Sequence, residues 1–168
     1  IGLRKGTISG FSPRMRLDLV VNTMFKSAVH DGVILVNNPS IWRPILSLRD
    51  AVDGYIRAVE ASPDISGVFN LASGNFTIGE VADYVREGVN EYMSINPNVL
   101  VKNVQDFRNY KVTWQKAANI LGFHPRFSVK DIVSELAQNY EKFKDFDNPE
   151  YYNIRTFKEI DLAKESRA

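Results

Sequence analysis

Short β-branched runs alternate along this chain with stretches whose apolar residues recur every three or four positions. That alternation restricts the fold more than any other feature. The strand candidates are Leu3 to Ser9 (LRKGTIS, closed by Gly10), Val33 to Asn37 (VILVN), Ile41 to Leu48 (IWRPILSL), Val68 to Leu71 (VFNL) and Val99 to Val104. Pro44 has no N–H to give a ladder, which disfavours a central position for the run that contains it. Helical spacing joins Leu17, Val20, Val21, Met24, Phe25 and Ala28, with Gly32 as a stop, and then Val52, Tyr55, Ile56 and Val59, stopped at Ser62-Pro63. Thr77 and Glu80 form a capping box ahead of Ile78, Val81, Val85 and Val89. Trp114, Ala117, Ala118 and Leu121 make a short helix with Gly122 just past its end. Ser128 caps the last strong helix, whose stripe runs through Val129, Ile132, Val133, Leu136, Tyr140 and Phe143. Beyond it the chain is charged and aromatic, compatible with a docked or a frayed tail. Strands alternating with helices predict an α/β protein.

Composition removes several classes of function. Hydrophobic residues are 44% and charged residues 24% of 168, as in an ordinary globular domain and unlike a disordered one. No apolar run approaches the roughly 18 residues of a membrane span, and no charged-then-apolar leader opens the sequence, so a cytoplasmic protein is expected. There is no cysteine, hence no disulfide, thiolate nucleophile or Cys-based zinc site. The two histidines, His30 and His124, lie far apart, which argues against a His-rich metal site and against a Ser-His-Asp triad, so no metal is expected. A net charge of +1 argues against a dedicated nucleic-acid binder.

The charge is uneven. Residues 1–57 hold 8 basic side chains against 4 acidic ones, and early arginines that converge in space would suit a phosphate-bearing partner. Arg14 and Arg16 precede a helix start, where forked cations and a helix dipole both favour phosphate; a surface pair with Asp18 is the alternative. Arg43 stands before Pro44 on a restricted backbone. Asp106, Arg108 and Tyr110 alternate at period two and would share a strand face, as a phosphate clamp or as a structural ion pair. No phosphate-cradling glycine loop is present, and Gly2, Gly6 and Gly10 read better as close-packing positions on a strand. Tyr140 and Lys144 form the one Tyr-x-x-x-Lys pattern, but Tyr140 lies on an apolar stripe and Lys144 among charges, so a structural role is expected.

Four segments in order, SGFSPRMRLDLVVN (Ser9 to Asn22), WRPILSLRDAVDGYIRAVE (Trp42 to Glu60), FNLASGNFTIGEVADYV (Phe69 to Val85) and DFRNYKVTWQKAANILGFHPRFSVKDIV (Asp106 to Val133), resemble the C-terminal half of an extended short-chain dehydrogenase/reductase. More narrowly, they resemble the NAD-dependent nucleotide-sugar epimerase/dehydratase family. The resemblance implies late strands and helices of a Rossmann-like sheet interleaved with a small α/β substrate-binding domain, the N-terminal dinucleotide-binding half being absent. Residues 1–140 would form that portion, with 3–9 and 68–71 as remnants of the Rossmann sheet, and 141–168 a charged and aromatic tail. It also implies that Arg43 and Arg108 contact the diphosphate of a nucleotide-diphosphate sugar. Arg14, Arg16, Asn22 and Tyr110 would line the rest of the substrate site, and Thr7 and Ser9 would pass the NAD cofactor.

The family's glycine loop and catalytic Tyr-x-x-x-Lys precede the segment resembling Leu3 to Gly10, so Tyr140 and Lys144 cannot stand in for the catalytic pair. No catalytic residue is therefore assigned. The chain alone is expected to be inactive, to hold NAD poorly, and to pair with a missing N-terminal half or with itself through an exposed sheet edge. The alternative is a non-catalytic binding or protein-interaction module derived from the same family.

Overall fold

The structure, a computed structural model, describes residues 1–104, 108–153, 157, 158 and 160. Its strands are β1 (Gly2–Lys5), β2 (Thr7–Ser9), β3 (Val33–Asn37), β4 (Trp42–Ser47), β5 (Val68–Leu71), β6 (Gly74–Thr77) and β7 (Asn98–Lys102). Between and after them run α1 (Val20–His30), α2 (Leu48–Glu60), α3 (Ile78–Met93), α4 (Gln115–Leu121) and α5 (Val129–Asn139), followed by 3-10 turns at Tyr140–Lys142 and Pro149–Tyr151. The α/β alternation read from the sequence is the architecture found.

Three small sheets organise these strands: β1 with β5, β2 with β4 and β6, and β3 with β7. The run Leu3 to Ser9 is two strands rather than one. Gly6 divides it: its N–H donates to the Leu71 carbonyl at 2.8 Å and ends the β1–β5 ladder. The next residue, Thr7, pairs with Ile45 of β4. A Cβ at position 6 would lie 2.9 Å from the Pro44 oxygen, so Gly6 is the close-packing position expected of it. Strand β6 (GNFT) was not anticipated, having one large apolar residue and no alternation.

Pro44 corrects a second expectation, because β4 is the central strand of its sheet. On the side away from β6, Trp42 bonds to Asn109 and Tyr110, while the ladder to β2 starts at Ile45. Pro44 falls in the gap between these two partners, where no N–H is called for.

Two apolar cores result. The larger packs α1, α3 and α5 around Phe25, Val85 and Val133. Phe143, Phe146 and Tyr151 are buried in it, so the chain beyond residue 140 is docked as far as Tyr151. The smaller joins Leu46, Ala51, Phe69, Leu71, Ala117, Leu121 and Phe123.

Helix α2 lies where its period placed it but faces the other way. Val52, Tyr55 and Ile56 are about half exposed and Val59 is 84% exposed, while Asp50, Ala51 and Gly54 are buried. Gly54 sets this orientation: a Cβ there would stand 2.5 Å from Leu71 Cδ1. Beside the exposed stripe, Ile1, Leu3, Tyr55, Ala58, Val59 and Ile65 line a shallow concavity of about 460 Å³. The outer edge of β1 pairs with no strand among the described residues.

The capping box expected at Thr77/Glu80 is present, and Ser128, expected as a cap, forms a second box with Asp131. The Ser128 hydroxyl and N–H donate to Asp131 Oδ2 at 2.6 and 2.7 Å and hold its carboxyl below the ordinary aspartate range. A carboxyl whose folded pKa is depressed contributes stability that is complete above the unfolded value near ~3.9 and is lost as pH falls through the native value. Asp131→Asn should therefore melt lower than wild type at neutral pH, by the few degrees that a capping contribution of about 1 kcal/mol implies. The two melting curves should converge as acidification carries the pH below the lowered native pKa of Asp131.

Candidate functional site

Helix α1, strands β3 and β4 and the segment after β7 enclose a cleft of about 350 Å³. Its apolar wall comes from Leu19, Val20 and Met24 of the α1 start, Leu35 of β3, and Ile41 and Ile78. Its polar groups are Thr7, Asp18, Thr23, Asn37, Arg43 and Arg108. The two arginines, distant in sequence, thus line one space.

Arg43 is held by its own strand. Its Nη1 donates to the Trp42 carbonyl at 3.0 Å, and its guanidinium lies 5.9 Å from the centre of the Tyr110 ring. The same carbonyl accepts the Tyr110 N–H at 3.4 Å, and the Trp42 N–H donates to Asn109 Oδ1 at 3.0 Å. Lys111 Nζ stands 3.4 Å from the centre of the Trp42 ring. Arg108 and Tyr110 therefore belong to no strand; their segment is irregular and laid along β4, which corrects the shared strand face expected for them. Asp106, the third member of that expectation, lies outside the described residues.

Arg14 and Arg16 precede α1, but neither lines the cleft. Arg14 is exposed. Arg16 forks onto Asp18, with Nε at 2.9 Å from Oδ1 and Nη2 at 2.8 Å from Oδ2. That hydrogen bonding holds the guanidinium above its ordinary pKa and balances the charge of Asp18, the one carboxylate among the described residues that faces the cleft. Asn22 is buried and occupied: its Oδ1 accepts the Gly10 N–H at 3.1 Å and its Nδ2 donates to the Arg16 carbonyl at 2.9 Å. It shapes the loop before α1 rather than the cleft. The first turn of α1 does face the cleft, through Leu19, Val20 and Thr23, and adds the partial positive charge of a helix start.

Thr7 and Ser9 were expected beside a dinucleotide. Thr7 lines the cleft. Ser9 is 2% exposed, and its hydroxyl finds no hydrogen-bond partner among the described residues. The glycines do not make a pyrophosphate cradle: Gly2 and Gly6 give their N–H groups to Gly67 and Leu71, and Gly10 gives its own to Asn22. One buried hydroxyl and three glycine N–H groups already engaged do not fit a dinucleotide.

Two polar residues absent from the sequence expectations organise this region. Asn38 Oδ1 accepts from the Val104 N–H at 2.9 Å while its Nδ2 donates to the Val104 carbonyl at 2.6 Å. Asn75 on β6 does the same at Val112, with both bonds 2.9 Å. Each asparagine replaces a strand partner for one residue, and no periodic signal marks such a role. Tyr140 and Lys144 meet the structural expectation: Tyr140 packs edge-on to Phe143, and Lys144 pairs with Glu141 at 2.7 Å. Among the described residues no helix is long and apolar enough to cross a membrane, and no group of three or more acidic or histidine side chains could hold a metal ion.

No protein-family model matches the sequence. Solved structures match over most of its length. An epimerase from Methanothermobacter thermautotrophicus superposes with a TM-score of 0.71 at 18% identity, over 86% of this chain and 45% of that one. A UDP-glucuronic acid 4-epimerase from Bacillus cereus, solved in complex with UDP-glucuronic acid and NAD, gives 0.68 at 18% identity over 83% and 44%. A UDP-N-acetylglucosamine 4-epimerase from Bacillus cereus gives 0.66 at 26% identity over 83% and 45%. The chain spans less than half the length of these structures. The resemblance read from four sequence segments thus reappears in three dimensions, and the fold of this chain is that of a little under half of a nucleotide-sugar epimerase or dehydratase.

Proposed function

We propose that this chain belongs to the NAD-dependent nucleotide-sugar epimerases and dehydratases and forms their substrate-binding portion, with the cleft at α1 taking a nucleotide-diphosphate sugar. One observation carries the reading: Arg43 and Arg108 line the same cleft, facing the first turn of α1. Two planar, forked cations and a helix start are the groups that a diphosphate needs. The apolar wall of Leu19, Leu35, Ile41 and Ile78 offers a flat, uncharged moiety its burial. Redox chemistry is not assigned to this chain, whose residues supply neither a dinucleotide cradle nor a tyrosine base at the cleft. Arg16 enters this reading through its pair with Asp18 and Tyr110 through its ring beside Arg43, whereas Arg14 and Asn22 have no part in the cleft.

Calorimetric titration with UDP-, dTDP-, GDP- and CDP-sugars tests it, and saturable binding of at least one is the expected result. Absence of heat with all four would overturn the reading. Turnover of a nucleotide sugar by the purified chain with NAD would overturn the assignment of a binding role alone.

The exposed stripe of α2 supports a protein partner in addition. It lies beside the edge of β1 that pairs with no strand among the described residues, and together they form the apolar surface that a further strand and its neighbours would cover. The partner in this reading is the N-terminal half of the family, or failing that a second copy. The purified chain should therefore self-associate, and Ile56→Glu with Val59→Glu should shift it toward monomer in sedimentation velocity. A wild-type chain that runs as a single monomeric species would speak for a closed surface instead.

A further inference from the structure

Arg108 sits in an irregular segment, and an arginine on irregular backbone clamps an anion only if that backbone is held. We infer that Asn75 is a positioning residue for Arg108. The inference rests on the reading of the cleft as a diphosphate site, and it adds the residue that fixes one of its two cations.

The geometry is that of a clasp. Asn75 stands on β6 opposite Pro44, in the antiparallel β4–β6 pair. Its side-chain amide turns outward and reproduces both hydrogen bonds of a strand neighbour, donating to the Val112 carbonyl and accepting the Val112 N–H, each at 2.9 Å. Two bonds from one planar amide fix direction as well as distance. Between Val112 and Arg108 the backbone meets β4 at Trp42, through the Asn109 side chain and the Tyr110 N–H, and the latter bond is long at 3.4 Å. Asn75 thus anchors the segment on the side toward α4, and Asn38 makes the matching two-bond contact at Val104. Asn75 does not line the cleft, so its influence on a ligand there must pass through the segment it holds.

The test combines a double-mutant cycle with a measurement made without ligand. Wild type, Asn75→Ala, Arg108→Ala and the double variant are titrated with UDP, and each is exposed to brief trypsin digestion with fragments identified by mass. Asn75→Ala should weaken UDP binding about five- to tenfold, and Arg108→Ala at least as much. The double variant should bind no more weakly than Arg108→Ala alone, because coupled residues do not add. Without UDP, Asn75→Ala should be cut sooner after Arg108 and Lys111. If Asn75→Ala does not fold, Asn75→Asp keeps the acceptor for the Val112 N–H, loses the donor to the Val112 carbonyl and carries the same expectations at smaller size. Wild-type binding of UDP with unchanged affinity in Asn75→Ala, losses that add, or unchanged cleavage would each overturn the positioning role alone. A wild type that ignores UDP is titrated instead with the nucleoside diphosphate of whichever of the four sugar nucleotides it binds; one that binds none of them would overturn the reading of the cleft, and this inference with it.

Discussion

Replacing Asp50 with alanine should lower the stability of this protein by about 3 kcal/mol, a fall of roughly 6–12 °C in melting temperature for a chain of this size. Asp50 opens α2, and its side chain is wholly buried. One carboxyl oxygen accepts the Arg126 N–H at 2.9 Å; the other accepts the Phe127 N–H at 3.2 Å and the Ser73 hydroxyl at 2.5 Å. The Ser73 oxygen in turn accepts the Ser47 N–H at 2.8 Å, and the Ser47 hydroxyl caps α2 by accepting the Asp50 N–H at 3.0 Å. The end of β4, the turn after β5 and the loop before α5 therefore meet at one group. Alanine would strand three donors, each costing about 1–3 kcal/mol when buried without a partner, with part recovered by water at the half-open loop. Asp50→Asn keeps the shape but supplies an NH2 where a donor already points, so it should restore less than half of the loss. Thermal melts of the three proteins check the order wild type, Asn, Ala. Equal melting temperatures would mean that the loop is held by its apolar contacts alone.

Arg43→Ala should weaken binding of a nucleotide-diphosphate sugar by about 10- to 150-fold, the equivalent of the ~1.5–3 kcal/mol expected of hydrogen bonds to a charged group. Arg43 is held by the Trp42 carbonyl and the Tyr110 ring, so its guanidinium is largely fixed before a ligand arrives and little side-chain entropy is lost on binding. Arg43→Lys should recover only part of the affinity, because an ammonium cannot make the two parallel bonds of a guanidinium. Raising the salt concentration should weaken wild type more than Arg43→Ala, since one charge contact is gone from the variant. Calorimetry at two ionic strengths reads both effects. An Arg43→Ala protein that binds as wild type would remove this side chain from the site.

Much of the fold was legible because it was written in local terms. Val33 to Asn37 and Val68 to Leu71 are short runs rich in β-branched and aromatic residues between turn residues, and both are strands with the expected limits. Thr77/Glu80 and Ser128/Asp131 are short-range hydrogen-bond patterns, and both helices begin there. What escaped depends on partners distant in sequence. The spacing of Val52, Tyr55, Ile56 and Val59 defines one face of α2, but only the contact of Gly54 with Leu71 decides which face turns inward. Strand β6 exists because β4 lies alongside it, and Pro44 is tolerated because β4 changes partners at that residue. Arg43 and Arg108 were candidates from a restricted backbone and a period of two, but only the resemblance of whole segments brought them to one diphosphate, and the strand implied by that period is not there. Asn38 and Asn75 carried no signal, since a side chain that imitates a strand has no period of its own.

The division at Gly6 has a spatial consequence. β1 belongs to one sheet and β2 to another, yet a single residue joins them, and Thr7, the first residue beyond the joint, forms part of the cleft. The rim strand and the cleft wall are thus neighbours along the chain, one glycine apart, and that glycine is tied to Leu71 through its N–H.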